Sequence, residues 1–174
     1  MTGSLEKLTL VIGGARSGKS RFAESLISGP ATYIATAEAR DDEMAHRVEE
    51  HRARRGQNWT TVEAPHDLAG VVSRLGAPSE AALVDCATLW LSNRMLAEAD
   101  VEAECAALVA ALANARLPII VVSNEVGWSI VPENALARRF RDAQGRLNQM
   151  IAERAGLVVA VMAGLPVALK GSLP

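Results

Sequence analysis

Leu8-Thr9-Leu10-Val11-Ile12 runs without a break into Gly13-Gly14-Ala15-Arg16-Ser17-Gly18-Lys19-Ser20. An apolar run that ends in a glycine-bounded loop leaves few folds open, because the loop needs a buried strand behind it and a helix ahead of it. The loop fits the pattern G-x-x-x-x-G-K-S without a mismatch. Each residue type has a reason. Glycines let the backbone wind closely, so that successive N–H groups face inward as an anion nest. The helix that follows presents its positive end to the same anion. Lys19 adds a point charge at the β and γ oxygens of a triphosphate, and the Ser20 hydroxyl suits Mg²⁺. Residues 13–20 therefore read as a phosphate cradle, with Lys19 as a catalytic cation.

The rest of the chain alternates between strand and helix signals. Strands are expected at Leu8–Ile12, Thr32–Thr36, Thr60–Glu63, Ala81–Asp85, Ile119–Ser123 and Leu157–Met162, with a short edge strand at Val167–Leu169 after Gly164. Helices are expected from Gly18 to Ile27, Asp41 to Arg55, His66 to Leu75 and Asp100 to Arg116. A long helix with Pro132 in its first turn is expected to reach Arg154. Continuous apolar strands separated by helices imply a mostly parallel sheet covered on both faces. The expectation is a three-layer α/β domain over residues 1–174, with an antiparallel edge strand.

A phosphate cradle usually works with a carboxylate that ends a neighbouring strand and helps to hold the metal. Asp85, after Ala81-Ala82-Leu83-Val84, is the best candidate, with Asn124-Glu125 as runner-up. Ser20 and Asp85 are thus the expected Mg²⁺ ligands.

Charge and composition narrow the partners. Eighteen basic against twenty acidic residues give a net charge of −2. That balance argues against general attraction to nucleic acid or anionic membrane. Three Trp, one Tyr and two Phe offer few platforms for stacking bases. No apolar run approaches the roughly 18 residues that span a bilayer. The polar stretch Met1–Lys7 lacks a secretory pattern. A cytoplasmic chain is expected, with Cys86 and Cys105 as reduced thiols.

The segment 41–55 concentrates imidazole and guanidinium. His46 and His51 are five residues apart, about 140° on a helical wheel, so one helix does not aim both at one metal. Arg47 shares the face of His51, and Arg52, Arg54 and Arg55 follow. Such neighbours keep an imidazole neutral near pH 7, and a neutral ring nitrogen can attack phosphorus. The plain alternative is a solvated helix of mixed charge.

Several further blocks make a resemblance. They are Tyr33–Ala37, Asp41–Met44, Arg47–Arg52, Trp59 with Thr61–Glu63, Leu83–Asn93, Val122–Asn134 and Ala137–Gln149. With the glycine loop, and in this order from Leu8 to about Lys170, they resemble the bifunctional adenosylcobinamide kinase/adenosylcobinamide-phosphate guanylyltransferases of cobalamin biosynthesis. The resemblance implies a RecA-like P-loop core and a homotrimer. It implies phosphorylation of the aminopropanol hydroxyl of adenosylcobinamide by a nucleoside triphosphate, GTP or ATP. It also implies transfer of GMP from GTP through a guanylyl-histidine to the corrinoid phosphate. By position, His51 matches the nucleophile of the family. Nucleotide contacts fall on Gly13 to Ser20, on Ala37, Glu38 and Ala39, on Arg52, Ala53, Arg54 and Arg55, and on Glu63 and Asp85. Glu63 suits the guanine edge, because a carboxylate accepts from its N1–H and amino group. The rival readings are a P-loop kinase for another small hydroxyl substrate, without a covalent step, and a nucleotide-dependent switch protein.

Overall fold

A computed structural model describes residues 5–38, 56 and 58–174. The expected helix from Asp41 to Arg55, with His46 and His51, lies outside the described residues. Among the described residues there are seven strands: β1 Leu8–Gly13, β2 Ala31–Ala35, β3 Trp59–Glu63, β4 Ala81–Asp85, β5 Ile119–Asn124, β6 Leu157–Met162 and β7 Leu165–Lys170. Among the described residues the helices are α1 Lys19–Ser25, α2 Leu68–Arg74, α3 Ala87–Leu96, α4 Val101–Ala113 and α5 Ala135–Arg154.

The strands form one sheet in the order β3-β2-β4-β5-β1-β6-β7. Every neighbouring pair is parallel except β6 and β7. That last pair closes through Ala163 and Gly164, both at positive φ (52° and 80°). Two left-handed residues match the twist of a tight hairpin, which is why a glycine is found there. The edge strand is longer than Val167–Leu169 because pairing starts immediately after this turn, at Met162 opposite Leu165.

Side chains alternate across the sheet and are buried on both faces. On one face Leu10, Ile34, Val84 and Val121 pack against Leu68 of α2, Trp90 of α3, Leu108 of α4 and Leu147 of α5. On the other, Val11, Leu83, Ile120 and Val159 pack with Ala23 of α1, while Phe22 and Leu26 close over them. Each fully buried large apolar side chain contributes about 1.5–3 kcal/mol. Two-sided burial explains why these strands read as unbroken apolar runs.

The helix boundaries differ from the expectations in ways that capping explains. Asn134, rather than Pro132, starts α5, because its Oδ1 accepts from the N–H groups of Leu136 and Ala137. Pro132 lies before the cap, and its carbonyl accepts from Arg138 Nη1. Asp67 caps α2 by accepting from Gly70 N, which leaves His66 outside the helix. Helix α1 ends at Ser25 rather than Ile27, and α4 at Ala113 rather than Arg116. Helix α3 has no counterpart among the expected elements. It follows β4 directly, and its Ala87, Trp90 and Leu91 are wholly buried.

Candidate active site

In an open α/β sheet, ligands collect at the carboxyl ends of the strands, where successive connections diverge. Here the chain leaves β1 toward β2 on one side and later reaches β6 on the other. The loop 13–20 opens at that point. Its tightness is measurable at Gly13, where a Cβ would lie 2.5 Å from Ser17 Oγ and 2.6 Å from the carbonyl of Val161. Gly18 has φ 95°, and a Cβ there would come within 3.2 Å of Gly164 Cα. Neighbouring loops hold the cradle from both sides: Glu125 N donates to Gly13 O (3.1 Å) and Gly164 N donates to Ser17 O (2.9 Å). Ser17 Oγ is buried with no hydrogen-bond partner among the described residues. Such an orphaned hydroxyl costs stability unless something polar meets it, and a phosphate oxygen is suited to do so.

Lys19 Nζ donates to Gly14 O at 3.0 Å, bending back over the loop. Burial pushes its ammonium below the usual lysine range, while Cys86 and Asp85 act in the opposite direction. A partly buried cation of this kind gains from an incoming anion.

Asp85 ends β4, two strands from β1 and thus about 10 Å along the sheet. It pairs in register with Val122 of β5, which in turn pairs with Val11 of β1. Tyr33 Oη donates to Asp85 Oδ2 at 2.9 Å, and the Tyr33 ring meets Trp59 edge-on with centroids 6.3 Å apart. Thr36 joins the ends of β2 and β4: its Oγ1 donates to Cys86 O and accepts from Cys86 N. Asn93 Nδ2 donates to Thr36 O from α3. The Cys86 thiol is pushed up to about 11, first by burial and then by Asp85. It is therefore a structural group and not a nucleophile at neutral pH.

Among the described residues no three His, Cys, Asp or Glu side chains gather to hold a metal by themselves. Mg²⁺ does not need such a cage, because that ion keeps waters and leans on substrate phosphates; Asp85 and Ser20 are the residues that could hold it.

The end of β5 is supported from behind by a buried polar network. Thr88 Oγ1 accepts from Asn124 N at 2.7 Å, and Asn148 Nδ2 donates to Asn124 O. Ser123 Oγ donates to Asn148 Oδ1 at 2.6 Å, and Gln144 Nε2 donates to both Ser123 Oγ and Asn148 Oδ1. Glu125, the runner-up carboxylate, accepts from Gly127 N through Oε1 and so folds its own loop.

The remaining candidates are spread more widely. Ala37 is half-buried just after β2. Glu38 Oε1 lies 2.8 Å from His66 Nε2, and His66 Nδ1 faces Arg94 Nη1 at 3.3 Å. Glu63 is exposed at the end of the outer strand β3, four strands or about 19 Å from β1. It is thus not brought to the cradle, whereas Asp85 is close enough to Lys19 to favour the charged ammonium. Ala39, His51, Arg52, Ala53, Arg54 and Arg55 lie outside the described residues. Tyr33, Thr36, Thr88, Gln144 and Asn148 support the site without a sequence pattern that marks all of them. The one available signal was Gln144 and Asn148, four residues apart on the otherwise apolar face of α5 that carries Ala143, Leu147 and Ile151.

Fold and cradle together define an α/β domain of the P-loop class. The chain belongs to the CobU family, described as "Cobinamide kinase / cobinamide phosphate guanyltransferase", which matches residues 9–169. It is 48% identical over 167 residues to the bifunctional adenosylcobalamin biosynthesis protein CobP of Pseudomonas aeruginosa, covering 93% of this chain and 96% of that one. It is 41% identical over 180 residues to the CobU protein of the same description from Escherichia coli, covering 94% and 99%. The Salmonella typhimurium CobU protein is 39% identical over 180 residues, with the same coverage. A solved Pyrococcus horikoshii structure shares the fold, with TM-score 0.51 at 12% identity over 95% of this chain and 87% of that one.

Proposed function

We propose that this chain acts as one domain that phosphorylates adenosylcobinamide and then guanylylates the product, using one phosphate cradle for both steps. In the first step the aminopropanol hydroxyl attacks the γ-phosphorus of GTP or ATP; the nucleoside diphosphate leaves and the hydroxyl proton is lost. In the second step a neutral His51 nitrogen attacks the α-phosphorus of GTP, a P–N bond forms and pyrophosphate leaves. An oxygen of the cobinamide phosphate then attacks the same phosphorus, the P–N bond breaks and adenosylcobinamide-GDP is released.

The observation that supports this reading most is one loop that carries both the partly buried Lys19 ammonium and the Ser17 hydroxyl without a described partner, and that is too tight at Gly13 for any side chain. Backbone N–H groups and Lys19 would meet negative charge as it shifts during in-line displacement. Ser20 and Asp85 would hold Mg²⁺, which when bound neutralises triphosphate charge. Glu63, Glu38 and the arginines after His51 would serve the nucleoside and its phosphates. We also read the chain as a cytoplasmic homotrimer. Its described cysteines are free, no described helix is long and apolar enough to cross a membrane, and β7 leaves an apolar edge open.

Incubation with α-labelled GTP tests the covalent step. Wild-type protein is expected to take up label that is lost in acid and kept in alkali, as a phosphoramidate requires. His51→Ala is expected to abolish labelling while part of the cobinamide phosphorylation survives. Undiminished labelling in that variant overturns the role of His51; no labelling of the wild type leaves the rival reading, a P-loop kinase without a covalent step.

A further inference from the structure

The loop that leaves β5 is apolar where it is most exposed. Trp128 is 77% exposed, Ile130 93% and Val131 60%. Large apolar side chains held out together on a loop mark a contact surface rather than a packing accident. Both ends of the loop are anchored. At its start, Glu125 N is bonded to Gly13 O and Gly127 N to Glu125 Oε1. At its end, Arg138 Nη1 donates to the carbonyls of Pro132 and Glu133. Immediately beyond, a cavity of about 290 Å³ opens between α3 and α5, lined by Met95, Leu96, Leu136 and Phe140 among others. Leu96 and Leu136 are themselves exposed at its rim.

This surface therefore runs from the phosphate cradle to an apolar cavity. Trp128 is three residues past Glu125, so its Cα lies no more than about 11 Å from that of Glu125. An occupant must combine a reacting group that reaches the phosphates with a broad apolar body. Within the function proposed above, the corrinoid has that form: a macrocycle with apolar faces, carrying its hydroxyl or phosphate on a side chain. We propose that the 126–136 face is the corrinoid-binding surface, with Trp128 and Ile130 packing on the macrocycle and the α3–α5 cavity receiving a peripheral substituent. A second copy of the chain is less well matched here. The exposed Leu165, Val167 and Leu169 of β7, at an edge of the described sheet, form a separate surface whose outer backbone groups pair with no other described strand.

The test uses Trp128→Ser, Ile130→Ser and their combination in the full chain. Affinity for adenosylcobinamide is read by equilibrium dialysis through its visible absorption. Self-labelling by α-labelled GTP needs no corrinoid and reads the nucleotide half-site separately. Each single variant is expected to weaken corrinoid binding and raise its KM about tenfold, the double variant more. KM for the nucleotide, self-labelling, oligomeric mass and unfolding temperature should stay at wild-type values. Trp128→Phe, which keeps an aromatic face, should recover most of the affinity. Corrinoid affinity within about twofold of wild type in the double variant would overturn the proposal. So would a fall in oligomeric mass accompanying the loss, since the face would then be a subunit contact. If wild-type protein takes no label, the histidine step fails, while the dialysis result still decides this inference.

Discussion

Lys19 carries a charge that its own surroundings disfavour. Burial lowers its pKa, so the ammonium is lost at a lower pH than an exposed lysine's would be, although Asp85 and Cys86 oppose this. A bound triphosphate favours the charged form and raises the pKa again. The sign follows: between the free and bound pKa values, binding takes up a proton, and affinity falls as pH rises. Calorimetry across the alkaline range below the ordinary lysine pKa, in buffers of different ionisation enthalpy, should therefore show proton uptake with nucleotide. Lys19→Gln should lose that uptake and slow both transfers about 10²–10³-fold. Proton uptake unchanged in the variant would detach Lys19 from the phosphates. Residue chemistry of this kind was legible in the sequence, because the loop pattern dictates residue types directly. The partners of Asp85 were not, since the Tyr33 hydroxyl reaches its carboxylate and the Thr36 N–H its carbonyl only after β2 pairs with β4.

Among the elements, α5 does most to support the site from outside it. Its Gln144 and Asn148 hold the carboxyl end of β5, and with it the loop whose Glu125 N–H is bonded to the cradle. Asn148→Ala would leave the Ser123 hydroxyl and the Asn124 carbonyl short of partners inside the protein. It is expected to lower the unfolding free energy by about 1–3 kcal/mol in urea titration. Asn114→Ala removes only an exposed side-chain bond to Ala110 O at the end of α4 and should cost about 0.5 kcal/mol or less. Equal costs at the two sites would show that the network contributes nothing special. The elements themselves were legible where apolar runs are continuous, as in β5 and β6. Their ends were not: Pro132 is compatible with a helix start, yet the two hydrogen bonds accepted by Asn134 decide where α5 begins.

At the scale of the whole molecule, the sheet has one edge that looks unfinished. Leu165, Val167 and Leu169 of β7 are 69%, 46% and 60% exposed, beside a strand backbone that pairs with β6 alone among the described residues. Such an edge invites another chain, and a lysine there is the usual protection. Val167→Lys is therefore expected to reduce the assembled mass toward the 18.4 kDa monomer in sedimentation equilibrium, without unfolding the sheet. Unchanged mass would move the subunit contact elsewhere on the surface.

The amino-acid order alone determined the strand–loop–helix unit at residues 8–25, the parallel character of the sheet and the chemistry of the cradle. All three depend on neighbours in the chain: local backbone freedom at glycine, short-range hydrophobic periodicity and the reach of one lysine. Only the tertiary structure decided that the ends of β4, β5 and β6 converge on that cradle, that Glu63 is held four strands away, and that an apolar loop adjoins a cavity between α3 and α5. Those relations arise from strand order and from hydrogen bonds between residues tens of positions apart, which no local pattern encodes.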